Sequence, residues 1–181
     1  MSKISYTIAN MIQEDVPKIV ELDTLSFGEH HWDSSSFYSE IQNDLAHYYV
    51  ARDDSGEILG YIGFWLVFEE AHITNISVKP SARRKKIAQV LLREMIECCY
   101  KNMVKFITLE VRVSNVPAIS LYEKFGMKSV GVRKGYYQDN SEDALIMFTN
   151  NIFYNSFRAI YDAAVKELDG VEVKYDKAFR R

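Results

Sequence analysis

The spacing of apolar residues predicts three helices in the first part of the chain. In Asp15–Leu25 the apolar residues recur every three or four positions, and Pro17 lies in the first turn, which is typical of a helix start. A second helix is expected from about Ser35 to Leu45. From Ile87 the apolar residues again have helical spacing while polar residues share the opposite side, as in an amphipathic helix.

Strands are predicted where β-branched and aromatic residues are dense. The strand segments are residues 5–9, HYYVAR, ILGYIGFWLVF, AHITNISV, KFITLEVRV, MKSVGVRKGYY and DALIMFTN. Between KFITLEVRV and MKSVGVRKGYY, the segment SNVPAISLYEKFG is expected to be a capped helix that ends at Gly126. The predicted order is β-α-α-β-β-β-α-β-α-β-β, which indicates one domain of the α/β class over residues 1–150.

The pattern changes after Asn150. One helical stripe carries the apolar residues Phe153, Phe157, Ile160, Tyr161, Ala164, Val165 and Leu168. Gly170 is expected to end this helix, and VEVKYDKAFRR then shows a brief alternation. We therefore expect residues 151–181 to be a C-terminal helical extension. Because an apolar stripe of this size is rarely left exposed, it should pack on the domain or on a second copy, the latter as a homodimer.

Composition and charge narrow the class of protein. The 181 residues are 48% hydrophobic and 26% charged, as in an ordinary globular domain, and the net charge of -3 argues against a DNA partner. Cys98 and Cys99 are adjacent, so they cannot form a disulfide framework and indicate a reducing compartment. There is no signal-like N-terminus and no long apolar run, so we expect a cytoplasmic protein without a membrane partner.

One short run predicts an anionic ligand. In VKPSARRKKIAQVLL, Arg83, Arg84, Lys85 and Lys86 stand directly before the helix that begins at Ile87. Cations are unfavourable there, because the positive end of the helix dipole lies at the N-terminus. Free N–H groups at a helix start, together with Arg and Lys side chains, form a phosphate site. The alternative is a solvated surface loop.

The residues around this run resemble a known family. ITNISVKPSARRKKIAQVLLREMI resembles motif A of the GCN5-related N-acetyltransferases (GNATs), where a strand, Arg/Gln-x-x-Gly-x-Gly/Ala and a helix carry the pyrophosphate of acetyl-CoA. Arg83 takes the first position, Lys86 replaces the first glycine and Ala88 fills the last. LEVRVSNVPAISLYEKFGMKSVGVRKGYYQDNSEDALIM closely resembles the protein N-terminal acetyltransferases, both archaeal relatives of the NatA catalytic subunit and RimI-type ribosomal-protein alanine acetyltransferases. The match runs from about His72 to Met147.

The resemblance implies the GNAT fold, a mixed and mostly antiparallel central sheet flanked by helices, here with an added C-terminal helix. It also implies direct transfer of an acetyl group from acetyl-CoA to the α-amine of a protein or peptide N-terminus. One alternative is acetylation of a small amine or a lysine by the same fold. Another is a regulatory module that binds acetyl-CoA without turnover, which Lys86 in the glycine position suggests.

Three residues are implied to be catalytic. An α-amine is largely protonated at neutral pH and must lose a proton before it attacks a thioester. The resemblance implies that Glu110 accepts this proton, with His72 helping to order a water. It also implies that Tyr122 donates a proton to the leaving thiolate. Each also has a structural explanation: Glu110 as a solvent-facing strand residue, His72 as a structural histidine, and Tyr122 as a packing residue.

The resemblance also implies the contacts with acetyl-CoA. The implied cofactor residues are Ile76, Ser77, Val78, Arg83, Arg84, Lys85, Lys86, Ile87, Ala88 and Asn115. Backbone N–H groups of the strand residues would contact the acetyl oxygen and the pantetheine. Asn115 could equally be only a helix N-cap. We expect Lys86 to have a helical φ, so that its N–H stays available to phosphate and only its Cβ crowds the ligand.

Two aromatic segments are implied to hold the acceptor. The implied contact residues are Phe27, Glu29 and Trp32 in SFGEHHW and Tyr136 and Tyr137 in KGYY. Tyrosines can bond to a peptide backbone and pack against its side chains. The alternative is aromatic packing over the sheet edge. His30 and His31 are adjacent and lack a spaced partner, so no metal is expected.

Overall fold

The computed structural model describes residues 4–28 and 31–181. The strands of this part of the chain are β1 (Ile4–Asn10), β2 (Ala46–Arg52), β3 (Ile58–Val67), β4 (Glu70–Val78), β5 (Phe106–Arg112), β6 (Met127–Tyr137), β7 (Glu142–Thr149) and β8 (Val171–Tyr175). The α-helices are α1 (Val16–Phe27), α2 (Ser34–Ile41), α3 (Ile87–Lys101), α4 (Val116–Lys124) and α5 (Asn155–Lys166). The predicted order of elements is confirmed, and β8 follows as a strand that the sequence pattern did not predict.

The strands form one mixed sheet in the order β6-β7-β5-β4-β3-β2-β1-β8. Antiparallel pairing joins β1 to β2, β2 to β3, β5 to β7 and β6 to β7. Two pairs are parallel, β4 with β5 and β1 with β8. This mixed, mostly antiparallel sheet with five helices is the predicted fold class.

The chain divides into two compact units. The first unit comprises residues 1–65, 74–98 and 168–181, and the second comprises residues 66–73 and 99–167. Strand β4 runs through both, because residues 70–73 belong to the second unit and residues 74–78 to the first. We refer to residues 168–181 of the first unit as the C-terminal tail.

The core of the first unit lies between α1, α2 and strands β1 to β3. Val16, Ile19 and Leu22 of α1 are buried at helical spacing, so the apolar stripe faces the sheet as predicted. Phe37 of α2 is fully buried and its ring meets the Tyr61 ring edge to face, with 5.8 Å between centroids. Helix α2 ends at Ile41 rather than near Leu45. Asn43 turns the chain there, because its carbonyl accepts a hydrogen bond from the Ala46 N–H, 2.9 Å away.

Helix α5 packs within the second unit. Phe157, Tyr161 and Ala164 of the predicted apolar stripe are buried, whereas Phe153 and Ile160 are 39% and 42% exposed, so only part of the stripe is packed. Gly126 ends α4 as predicted, with φ +89°, and the Phe157 ring lies 2.9 Å from the place a Cβ would occupy there. The glycine therefore permits both the left-handed turn and the close approach of α5. None of the helices in the described part of the chain is long and apolar enough to span a bilayer.

Candidate active site

The basic loop of the first unit joins β4 to α3. A single 3-10 turn, Pro80–Ala82, precedes it, and Arg83, Arg84 and Lys85 are exposed. Lys86 is the residue before the first turn of α3, since its carbonyl accepts a hydrogen bond from the Val90 N–H, 3.0 Å away. The cations therefore surround the helix start, as the sequence predicts.

The backbone of this loop corrects one expectation. Lys86 has φ +66° and Arg84 has φ +62°, so the expected helical φ of Lys86 is wrong. A side chain in the left-handed region is crowded by its own backbone, which costs about 1–2 kcal/mol. The family's glycine position thus keeps its glycine-like conformation although a lysine occupies it. A left-handed residue followed by the helical Ile87 turns successive N–H groups to the same side, an arrangement that binds anions.

The end of β4 is tightly packed in the first unit. Ser77 is 5% exposed, and its hydroxyl lies 2.5 Å from the Ser26 hydroxyl at the end of α1. A Cβ at Gly60 would lie 2.8 Å from the Ser77 carbonyl oxygen, so β3 approaches β4 closely here. Ile76 and Val78 are half-buried on either side. The three implied pantetheine contacts therefore lie on a tightly packed strand end.

Glu110 of β5 is the centre of a charged cluster in the second unit. The His72 Nε2 lies 3.2 Å from one carboxylate oxygen, and the Arg133 Nη2 lies 3.2 Å from the other. The Glu110 side chain is only 11% exposed, so it is not an ordinary solvent-facing strand residue. Parallel pairing of β4 with β5 sets His72 opposite Thr108, two positions before Glu110. Both oxygens of this carboxylate are therefore oriented by cross-strand partners.

Tyr122 lies on α4 of the same unit. It is 4% exposed, and burial together with the nearby Tyr137 raises the pKa of its phenol above the ordinary value. Asn115 caps this helix, because its side-chain oxygen accepts a hydrogen bond from the Ala118 N–H, 3.3 Å away. The N-cap explanation of Asn115 is thus correct, and it does not conflict with a second contact from the same residue.

The two tyrosines of KGYY are held by arginines. The Tyr136 and Tyr137 rings meet edge to face, with 5.1 Å between centroids. The Arg112 guanidinium lies 3.9 Å from the centroid of Tyr137, and the Arg133 guanidinium lies 5.6 Å from that of Tyr136. Burial raises the pKa of Tyr137 to about 12. Both tyrosines lie at the end of β6 in the second unit, and Tyr136 is 43% exposed.

The other aromatic segment belongs to the first unit. Phe27, at the end of α1, is 39% exposed, whereas Trp32 packs against the core. The main-chain N–H of Trp32 donates a hydrogen bond of 2.8 Å to the carboxylate of Asp23. Glu29 and His30 lie outside the described residues.

Asp23 is a buried carboxylate that the sequence patterns did not single out. It is 1% exposed, it accepts a hydrogen bond from the Tyr61 phenol, and burial raises its pKa. Because the same carboxylate binds the Trp32 N–H, it ties α1 to the segment before α2. The available signal was an acid within the apolar stripe of a helix.

Arg112 and Arg133 are the other missed residues. In the sequence both appear only as arginines in predicted strands, and their contacts depend on which strands are neighbours.

No metal site is found in the described part of the chain: within residues 4–28 and 31–181, no group of three or more His, Cys, Asp or Glu side chains is placed to hold a metal ion. The His31 Nδ1 lies 2.8 Å from the Gly28 carbonyl oxygen.

Known proteins share this arrangement of elements. The sequence profile of the Acetyltransferase (GNAT) family matches residues 16–127. A Bacillus subtilis (strain 168) protein, which is provisionally named a ribosomal protein bS18-alanine N-acetyltransferase, is 44% identical over 147 residues, covering 81% of this chain and 96% of its own length. An N-alpha-acetyltransferase of Saccharolobus solfataricus is 34% identical over 155 residues, covering 78% and 91%.

A solved structure agrees with these relatives. The crystal structure of the ribosomal-protein-S18-alanine N-acetyltransferase from Escherichia coli superposes with a TM-score of 0.73 at 28% identity, covering 81% of this chain and 94% of that one. The profile match and the identity to the Bacillus relative both extend over more than half of the sequence. The chain therefore belongs to the GNAT family of acetyl-CoA-dependent N-acetyltransferases.

Proposed function

We propose that this chain transfers an acetyl group from acetyl-CoA directly to the α-amine of protein N-termini, including those of ribosomal proteins. The observation that carries the proposal is the Glu110 carboxylate, which is 11% exposed and held between His72 and Arg133. A carboxylate in such a place can accept the proton that an α-ammonium must lose. The names of the Bacillus and Saccharolobus relatives support the choice of acceptor.

The basic loop fits the phosphates of acetyl-CoA. The residues that would hold the cofactor are Ile76, Ser77, Val78, Arg83, Arg84, Lys85, Lys86, Ile87, Ala88 and Asn115. The fit rests on the left-handed φ of Lys86 at the start of α3, because that turn directs N–H groups to one side, and on the exposed cations around it. When bound, acetyl-CoA supplies an acetyl group activated as a thioester.

Each catalytic residue has one proton to handle. Glu110 accepts the proton of the incoming α-amine, directly or through a water that His72 helps to orient. Tyr122 donates a proton to the sulfur as the carbon–sulfur bond breaks. Burial raises the pKa of this phenol, so Tyr122 is in its protonated, donor form at neutral pH. Arg133, bound to the other Glu110 oxygen, holds the carboxylate in its orientation.

The acceptor contacts complete the proposal. Phe27, Glu29 and Trp32 in one segment, and Tyr136 and Tyr137 in the other, would bind the first residues of the acceptor peptide. We assign the transfer to residues 1–150 and treat residues 151–181 as an extension of that domain. A reducing, cytoplasmic location is consistent with Cys98 and Cys99, which are both buried and form no disulfide.

A peptide panel with a matched variant tests the proposal. The chain is incubated with acetyl-CoA and peptides beginning with Ser, Ala or Met, and the site of acetylation is read by tandem mass spectrometry. We expect acetylated α-amines, and a Glu110→Gln variant should lose activity by about 10²-fold or more, because it keeps the side-chain shape without the base.

Other results would contradict the proposal. Labelling confined to internal lysines, or to a polyamine added to the same reaction, would favour the small-amine or lysine acetyltransferase. Calorimetric binding of acetyl-CoA with no transfer to any acceptor would favour the regulatory module. Equal activity of Glu110→Gln and the wild type would remove Glu110 from the mechanism.

A further inference from the structure

Tyr6 of β1 contacts the basic loop of the first unit. Its phenol donates a hydrogen bond to the Lys85 main-chain carbonyl, with 2.8 Å between the oxygens. Tyr6 is 3% exposed, and burial raises the pKa of its phenol, so the hydroxyl remains a donor. The C=O and N–H of one trans peptide unit point in opposite directions. Fixing the Lys85 carbonyl therefore fixes the direction of the Lys86 N–H.

This bond acts at the strained part of the loop. Lys85 lies between Arg84 and Lys86, which both have φ in the left-handed region. Residues in that region persist only where their surroundings determine their conformation. The Tyr6 hydroxyl constrains Lys86 in this way, because it binds the peptide group that joins Lys85 to Lys86.

The C-terminal tail holds the strand that carries Tyr6. Strand β8 pairs in parallel with β1, and Val173 lies opposite Tyr6. The Asn10 side chain exchanges two hydrogen bonds with the Arg180 backbone, of 3.1 and 2.7 Å. The Asp176 N–H also donates to the Ile8 carbonyl, 2.9 Å away. Both ends of β1 are thus bonded to the tail.

The same tail reaches α3, the helix that follows the loop. Glu94 of α3 is fully buried, and one of its oxygens accepts two hydrogen bonds from the Arg181 guanidinium, of 2.9 and 2.5 Å. The other oxygen accepts from Arg93 at 2.5 Å and from the Tyr175 phenol at 3.0 Å. Removing one partner of a buried ion pair leaves a poorly compensated charge, so the tail stabilises this part of α3.

We infer that the C-terminal tail positions the acetyl-CoA loop, acting through Tyr6 on β1 and through Glu94 on α3. Tyr6 and Arg181 are positioning residues, since neither is required to touch the cofactor. The inference rests on the proposed role of residues 83–88 in binding acetyl-CoA. On this inference the C-terminal tail contributes to the affinity for acetyl-CoA, although it lies outside motif A.

A Tyr6→Phe variant tests the first contact. Losing one hydrogen bond should raise the calorimetric Kd for acetyl-CoA by about five- to tenfold, while kcat at saturating cofactor and the KM for peptide stay within about twofold. Amide exchange of residues 85–88 should be faster without cofactor. Tyr100→Phe is the control, because Tyr100 makes the same kind of bond to the Ile152 carbonyl, at 2.9 Å, in the second unit. It should leave the acetyl-CoA Kd unchanged.

An Arg181→Ala variant tests the second contact. It should also raise the Kd for acetyl-CoA severalfold, whereas Lys177→Ala, which removes an exposed cation from the same tail, should not. Equal Kd values for Tyr6→Phe, Arg181→Ala and the wild type would overturn the inference, whatever happens to the melting temperature. Absence of binding by the wild type would instead overturn the proposed function, and this inference with it.

Discussion

At the residue scale, Tyr122 is a buried tyrosine whose proposed role is to donate a proton to the leaving sulfur. An ordinary tyrosine has a pKa of about 10. Burial disfavours the phenolate, so the pKa of Tyr122 is raised, with the nearby Tyr137 adding to the shift. The donor form is the protonated one, which is populated below the pKa. A higher pKa therefore extends the range of pH in which Tyr122 can donate.

Tyr122 should keep kcat flat at alkaline pH. We expect wild-type kcat to stay level from about pH 8 to about pH 10, and Tyr122→Phe to lower it by about 10²-fold at every pH. Tyr154→Phe is the control, because Tyr154 is 61% exposed and lies outside the proposed site. Steady-state rates with saturating substrates give the profile. A wild-type kcat that declines by pH 9, with no decline in Tyr122→Phe, would mean that this phenol titrates early.

Lys86 carries both a charge and a strained backbone, and two substitutions separate them. Lys86→Gly removes both, so acetyl-CoA binding should become less dependent on salt and the chain should gain about 0.5–1 kcal/mol of stability after the greater freedom of the unfolded glycine is counted. Lys86→Ala removes the charge and keeps the strain. It should lose the same salt dependence without the gain in stability.

Calorimetry at several salt concentrations and thermal unfolding measure the two effects. Wild-type salt dependence in both variants would show that the Lys86 ammonium does not face phosphate. A melting temperature that is equal in Lys86→Gly and Lys86→Ala would show that the left-handed φ of residue 86 costs little.

At the element scale, β5 links the proposed base to the loop between β6 and β7. Glu110 and Arg112 are two residues apart, so they project from the same face of the strand. The Arg112 guanidinium binds the Asp139 carboxylate at 2.9 Å and the Glu142 carboxylate at 3.2 Å. Bonds from Ser114 and from Arg112 lower the pKa of Glu142 to about 2. Glu142 loses its charge only when the pH falls below the ordinary carboxylate range, so its ion pair with Arg112 persists at neutral pH.

The sequence predicted most elements because each has its own local signal. The apolar stripes of α1 and α3 and the glycine that ends α4 are properties of short segments, and the structure confirms them. Strand β8 was missed because five residues with a brief alternation resemble a loop until a partner strand is known. Its partner, β1, lies at the other end of the sequence.

Within the candidate site, the sequence predicted some neighbouring residues and missed others. His72 and Glu110 were named from the resemblance and lie 3.2 Å apart. Arg133 was missed because its contact depends on the order in which β5, β7 and β6 pair, which single-strand patterns do not encode. The φ of Lys86 was wrong because residue type suggested a helical backbone, while the turn into α3 required a left-handed one.

At the scale of the whole molecule, α5 decides whether the chain associates. Phe157, Tyr161 and Ala164 of its predicted stripe are already buried, so a homodimer through this helix would have to use an exposed member of the stripe such as Ile160, which is 42% exposed. A stable interface needs about 800 Å² from each partner. We keep the homodimer as a prediction: light scattering should give twice the chain mass, and Ile160→Asp should halve it. Asp162→Ala is the control on the same helix. A single-chain mass at every concentration would contradict the homodimer.

The pairing of β1 with β8 also bears on how the chain is made. Asn10 and Arg180, which are bonded to each other, are 170 residues apart in the sequence. A growing chain emerges from the ribosome in order, so the edge of β1 that pairs with β8 stays open until residues 171–175 have been synthesised. Contacts between residues so distant in sequence form slowly. All residues of the second unit are synthesised before β8, so that unit can fold while β1 still lacks this partner.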